Sequence, residues 1–495
     1  MDFPVAHGIV PRSGGSAMSE FIHRGVIEGF YGPPYSHAGR LWLIERLGAW
    51  GMNRYVYAPK DDPLHRAQWR TPYGAGVLRD FAELVERGRG AGVEVGFAVS
   101  PGLTIEYSAH DDVRALQAKF RGFQALGARF FCLALDDVPT TLLHAADQAR
   151  FASLGAAHVH LAHAVADALG ADATLWVVPT DYVGTEATTY LETLGCDLAP
   201  AIEVGWTGRT VVSPTITGGE AAQRAATLRR RLLIWDNVPV ADGPMRPMLH
   251  LGPYVGRDRD LAAHASGLIL NPMAHAHASA VALRSAADYM RDPHGYDPEA
   301  SWHAALAELG VGAPGPFTVF AAAHRFSPLL ADDRDPDLED AVSALRQALD
   351  DDTDPAPALT ALRRLLEPRR AAAATLRAEL ADRELVEEIE PWLAAHRAES
   401  ERMAGALELL EVLCANTAPM QRVFGLFHFE GLLTRIAPAP VASYGPRRVL
   451  YPQLSSLRDD AAGFGADQAL FVNRCLADEV VELAEGMALK RLAIG

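Results

Sequence analysis

Eight short, apolar, β-rich runs recur through residues 25–272, and their number and rhythm constrain the fold more than any other feature. They are "GVIEGFY" (25–31), "NRYVYAP" (53–59), "VEVGFAVSP" (93–101), "RFFCLALDD" (129–137), "TLWVVPTDY" (174–182), "AIEVGWTG" (201–208), "LLIWDN" (232–237) and "GLILNP" (267–272). Helical patterns such as "VLRDFAELVERGRGAG" (77–92) and "FASLGAAHVHLAHAVADALG" (151–170) lie between most of them. Continuous apolar strands in a βα rhythm mean a parallel sheet covered on both faces. Eight units in roughly 275 residues fit a (β/α)8 TIM-like barrel better than an open sheet.

The runs end in a consistent way. Their last residues are Glu28–Tyr31, Lys60–Asp62, Asp136–Asp137, Asp181–Tyr182, Trp206, Asp236–Asn237 and Asn271. Helix caps and turns account for some of these singly, but not for the set. A barrel builds its active site from this C-terminal face. The pair Asp136–Asp137 is the sharpest case, because adjacent carboxylates after a buried strand are costly unless something neutralises or uses them.

Beyond residue 300 the texture changes to Ala, Leu, Arg and Glu. The stretches 337–351, 358–417 and 466–494 read as long amphipathic helices, with "DDDTDPAP" (350–357) a loop and the Pro-rich 437–456 a connection. The reading is thus a flexible leader (1–20, with Met18 an alternative start), a barrel (21–295) and an all-helical bundle domain (300–495). "GRGAG" (88–92) reads as a turn, not a phosphate loop. A net charge of −17 argues against charge-driven binding to nucleic acid or anionic membranes. No apolar run reaches membrane-spanning length. With no secretory pattern and four scattered cysteines (Cys132, Cys196, Cys414, Cys475), the expectation is a cytoplasmic protein with reduced thiols.

The blocks "GVIEGFYGPPYSHAGR", "YAPKDDPLHRAQWR", "LDD", "PTDY", "EVGWTG", "WDN", "LGPYVGR" and "LNP", in that order over residues 22–290, resemble the catalytic domain of glycoside hydrolase family 84. These are the O-GlcNAcases and related bacterial β-N-acetylglucosaminidases. The helical region shows no comparably specific likeness. The resemblance implies a retaining exo-β-N-acetylglucosaminidase whose nucleophile is the substrate's own 2-acetamido group. Such chemistry departs from the two-carboxylate scheme but still needs two carboxylates with unlike roles. By resemblance, Asp136 orients the acetamido group and Asp137 is the general acid/base. Both can reach one substrate only where the strand ends and the backbone turns. Coupling between them is expected to hold the second proton longer.

The resemblance also implies the sugar pocket. Gly29 gives the sugar close access to the backbone, with packing as the alternative, and Tyr31 forms pocket wall or core. Lys60 donates to hydroxyls, the alternative being a surface pair with Asp61 or Asp62. Tyr182 and Trp235 enclose the N-acetyl methyl, and Asn237 holds the acetamido side. Asp242 binds O4 and O6, and Asn271 binds a further hydroxyl. Val178 stands where some relatives have cysteine, and Trp206 reads as core. His65, His275 and His277 lack the spacing of a metal site, so no cofactor is expected. The partner implied is a GlcNAc-bearing glycoside, glycoprotein or glycopeptide. Removal of O-GlcNAc from Ser/Thr, cleavage of GlcNAc-containing polysaccharide, and a non-catalytic GlcNAc-binding module remain distinct readings. For the helical region, homodimerisation stands against closure of its own core.

Overall fold

The computed structural model describes residues 20–246, 248–325, 336–415, 447–450 and 472–493. Strands β1 (His23–Glu28), β2 (Arg54–Tyr57), β3 (Glu94–Val99), β4 (Phe130–Ala134), β5 (Thr174–Val178), β6 (Glu203–Trp206), β7 (Leu232–Asp236) and β8 (Ala265–Leu270) close into one parallel barrel. The seam joins first to last, with His23 opposite Gly267 and Gly25 opposite Ile269. Alternation sorts the side chains. Ile27, Phe130, Cys132, Trp176, Leu233 and Ile269 fill the barrel interior, while neighbours such as Val26, Phe131 and Ile234 meet the outer helices. Both faces are therefore buried, which is why these strands read as unbroken apolar runs.

Helices α1 (His37–Ala49), α2 (Ala75–Ala91), α3 (His110–Ala125), α4 (Ala145–Arg150), α5 (Leu154–Leu169), α6 (Thr189–Asp197), α7 (Gly218–Leu228) and α8 (Ala276–Arg291) wrap the barrel. Two readings need correction. "GRGAG" is not a turn: α2 runs through it and ends at Gly92, which takes φ 74° as its left-handed cap. The helix keeps Gly88 because a Cβ there would lie 2.5 Å from the Val93 carbonyl. The other concerns every apolar run, which overshoots its strand. The run 129–137 is strand only to Ala134, and 25–31 only to Glu28. The overshoot lies beyond the strand ends and carries the polar tips.

The β7–β8 connection departs from the rhythm. Among the described residues of 237–264 there is no α-helix; short 3-10 turns stand at Gly243–Met245 and Leu261–Ala263. Past the barrel come α9 (Pro298–Leu309), α10 (Pro314–Ala323), α11 (Pro336–Asp350), α12 (Ala356–Glu379), α13 (Arg383–Ala415) and, at the C-terminal side, α14 (Leu476–Ala493). Apolar packing does not break at residue 300. Trp302, Leu306, Phe317, Phe320, Ile389 and Trp392 belong to the same continuous core as the barrel's helix layer. A second cluster joins Leu338, Leu345, Leu362, Leu407, Leu410 and Val480. Helix α13 also grips the start of α8. The Ala278 N–H donates to Glu388 at 2.9 Å, and His277 pairs with Asp382 at 2.7 Å.

Among the described residues the region is helical except for a two-stranded antiparallel ribbon, β9 (Arg447–Leu450) with β10 (Val472–Cys475). Val472–Cys475 is thus strand where a continuous helix over 466–494 was expected. Most of the Pro-rich connection lies outside the described residues. No helix among the described residues is long and apolar enough to cross a membrane.

Candidate active site

The chain turns immediately after β4, where the Val138 N–H donates to the Asp136 carbonyl at 3.0 Å. This turn lets two consecutive side chains face one centre. Lys60, from the end of β2, reaches both: its Nζ lies 2.7 Å from Asp136 Oδ2 and 3.2 Å from Asp137 Oδ2. Lys60 is buried, not a surface lysine, and its partners are the aspartate pair. Asp61 instead accepts from the Gly32 N–H at 3.2 Å, and Asp62 from the hydroxyls of Tyr57 and Tyr73 at 2.9 and 2.7 Å. Burial disfavours the Lys60 charge, but the two carboxylates outweigh it and raise its pKa above the usual lysine value.

The two aspartates differ in setting. The Asp136 side chain is 9% exposed and that of Asp137 is 32% exposed. Asp136 Oδ1 is buried and receives no hydrogen bond from the described residues. Such an oxygen is expensive to leave unmet. Asp137 is saturated by comparison. Tyr31 Oη donates to its Oδ2 at 2.6 Å, and Arg66 Nη2 lies 3.8 Å from the same oxygen. Burial pushes the Asp137 pKa up, but Lys60, the Tyr31 hydroxyl and Arg66 together bring it below the usual carboxylate value. This corrects the expectation that coupling would hold its proton: without substrate, the cations beside the pair win.

The remaining expected residues join the same centre. A Cβ on Gly29 would lie 2.4 Å from the Trp235 ring, so the glycine is needed for that ring to pass. The Gly29 N–H donates to Asn271 Oδ1 at 3.2 Å, across the seam. Asn237 Oδ1 accepts from Trp235 Nε1 at 2.8 Å and from Asn271 Nδ2 at 2.9 Å. Asp242 accepts from the Tyr31 N–H at 2.9 Å, and burial lifts its pKa. Tyr182 packs against the interior cluster of Val178 and Trp235. Burial, then the nearby Asp137 and Asp136, raise its pKa. Trp206 is fully buried, its Nε1 donating to the Gly184 carbonyl at 2.8 Å. The histidines serve the frame: His65 bonds the Ala98 carbonyl, and His275 and His277 pack on Trp392 and Trp42.

Sequence reasoning missed Arg66, and it named Glu28 only as a strand end, without a role. Arg66 Nη1 lies 3.2 Å from Tyr31 Oη, so it stands beside the Asp137–Tyr31 bond. Its only signal was its place in "KDDPLHR". Glu28 is fully buried at the tip of β1, where Arg40 and Tyr55 hold its carboxylate and the Tyr35 N–H donates to it at 2.9 Å. It anchors the loop that presents Tyr31.

Comparison with known proteins gives this geometry a context. A family model described as beta-N-acetylglucosaminidase matches residues 24–322. The Protein O-GlcNAcases of Rattus norvegicus and Mus musculus are each 34% identical over 296 residues, covering 59% of this chain and 32% of theirs. The chain thus spans about a third of the length of these curated relatives. Among solved structures, a mutant O-GlcNAc hydrolase of Thermobaculum terrenum superposes with a TM-score of 0.81 at 28% identity, over 96% of both chains.

Proposed function

The chain belongs to the beta-N-acetylglucosaminidase family, and on that premise we propose that it removes terminal GlcNAc from β-glycosides with retention. The 2-acetamido group of the substrate is the nucleophile. The observation that carries this reading is the unmet, buried Asp136 Oδ1 beside a carboxylate of quite different setting. The acetamido N–H supplies the donor that Asp136 lacks. With Lys60 bonded to its other oxygen, Asp136 then stabilises the positive charge that develops as the acetamido oxygen bonds to C1. Asp137, on the more open side, gives its proton to the departing glycosidic oxygen as the C1–O bond breaks. In the second step it takes a proton from water, which attacks C1 and reopens the oxazoline ring.

Asp137 must be protonated to act first as an acid, yet in the free protein Lys60 favours its anion. Recruitment of Lys60 by sugar hydroxyls relaxes that hold and lets the proton on. Trp235 and Tyr182 form the apolar wall for the acetyl methyl. Asp242, beside Tyr31, caps the far hydroxyls and restricts the site to a terminal sugar. We take O-GlcNAc on Ser/Thr of proteins as the natural substrate, by analogy with the rat and mouse relatives.

The test is hydrolysis of 4-methylumbelliferyl β-N-acetylglucosaminide by wild type, Asp136→Ala and Asp137→Ala. Turnover by wild type is expected, with both variants far below it. Asp137→Ala is expected to be partly spared, because this leaving group needs little protonation. A wild type that binds GlcNAc and turns over nothing would favour the binding-module reading. An O-GlcNAc peptide then decides the aglycone.

A further inference from the structure

The block "LGPYVGR" (251–257) has no part in the chemistry above, yet two of its side chains reach the tip of β7. Arg257 grips the Asp236 carboxylate with Nε (2.8 Å to Oδ2) and Nη2 (2.5 Å to Oδ1). The Tyr254 hydroxyl adds a third bond at 2.5 Å. The side chains of the ion pair are each 1% exposed. The same guanidinium donates to the carbonyls of Ser213, Pro214 and Val255 at 3.1, 3.0 and 2.9 Å. One side chain therefore ties the loop after β6, the tip of β7 and its own loop together. A planar, five-donor fork can do this and a lysine cannot.

Asp236 sits between Trp235 and Asn237. Its carbonyl accepts from the Asn271 N–H at 2.7 Å, and the Asn237 Nδ2 donates to the Val211 carbonyl at 2.6 Å. Asn237 also joins Trp235 to Asn271, so whatever fixes Asp236 fixes the wall and floor of the pocket. A cavity of about 20 Å³, lined among others by Asn237, Pro239, His250, Val255 and Arg257, lies beside this segment. That is room for about one water molecule. Packing on that side is therefore incomplete, and the clasp has to do what close packing does elsewhere.

We propose that Arg257, acting through Asp236 with Tyr254, is a positioning residue that sets the width of the acetamido pocket and hence its selectivity for the N-acyl group. The inference rests on the glycosidase reading above. The molecule supplies its own control. At β1 the same chemistry recurs, with Arg40 Nε and Nη2 on Glu28 at 2.8 and 2.9 Å and the Tyr55 hydroxyl beside them. That clasp takes the Tyr35 N–H as its further partner and makes no bond to Asp236, Trp235 or Asn237.

The experiment compares kcat/KM for the N-acetyl and N-propanoyl forms of the same 4-methylumbelliferyl glycoside. A pocket held to size discriminates one extra methylene by about tenfold or more. That ratio is expected to fall about fivefold in Arg257→Lys and about twofold in Tyr254→Phe, by partial loss of the same discrimination. It should stay at the wild-type value in Arg40→Lys, whatever happens there to the rate. If Arg257→Lys does not fold, Tyr254→Phe decides alone. Equal slowing of both substrates with an unmoved ratio overturns the proposal, as does an equal shift in Arg40→Lys. A wild type that cleaves neither glycoside overturns the glycosidase reading and this inference with it. An active wild type with an unmoved ratio in the variants overturns only the positioning role.

Discussion

The two mouths of the barrel carry the same kinds of polar group and use them in opposite ways. Where the strands begin, the groups satisfy one another. Glu203 lies 3.6 Å from His23 Nε2 and accepts from Ser266 Oγ at 2.7 Å. Arg54 lies 3.4 Å from Glu94 and donates to His23 Nδ1 at 3.2 Å. Where the strands stop, one lysine is shared between two carboxylates, and Asp136 Oδ1 accepts nothing from the described residues. The closed network stabilises the fold. The open one leaves a demand that a substrate can meet, which is how a barrel separates stability from chemistry.

The sharpest test of that division is Asp136→Asn. Activity on the aryl glycoside should fall by about a thousandfold, while the thermal midpoint measured by calorimetry does not fall. A large loss of stability would blur the two mouths. Glu203→Gln should do the reverse, lowering unfolding free energy in urea by about 1–2 kcal/mol and leaving kcat/KM within about twofold of wild type.

Smaller effects probe the open mouth alone. Tyr31→Phe removes a donor that favours the Asp137 anion, so the Asp137 pKa rises. The protonated acid then survives to higher pH, and the alkaline limb of kcat/KM moves to higher pH. Arg66→Met should move it the same way by less, since Arg66 is 3.8 Å from the carboxylate. Movement to lower pH in either variant would show that Asp137 is not the group titrating. Stability follows the same sign. The contribution from the depressed Asp137 pKa is present above its unfolded value and is lost as pH falls through its lower folded value. Both variants should therefore lose less stability on acidification than wild type.

The strands were legible because each is a local run buried on both faces. Asp136 and Asp137 were legible as a candidate site because a charged pair at the end of such a run has no cheap structural use. What escaped was pairing across the barrel. Nothing local shows that Lys60 turns from Asp61 and Asp62, its neighbours in sequence, to an aspartate pair 76 residues away. Arg66 and Arg257 escaped for the same reason: their partners lie on other strands, and an arginine in a loop reads as solvated surface. The "GRGAG" turn misread a helix in which Gly88 answers to the close approach of Val93 and Val95, while only Gly92 takes the left-handed conformation that ends it. In the helical region, amphipathic patterns showed that helices exist but not which faces meet.

The bond from the Gly29 N–H to Asn271 spans the whole barrel in sequence. A polypeptide leaves the ribosome from its N-terminus, so Lys60, Asp136 and Asp137 are all exposed to the cell well before Asn271 is made. The carboxylates come first and the floor of the proposed pocket comes last. A stalled or truncated chain that stops short of the eighth strand thus carries the acidic pair without the cleft that would give it a substrate, and the site is born only when the first strand meets the last.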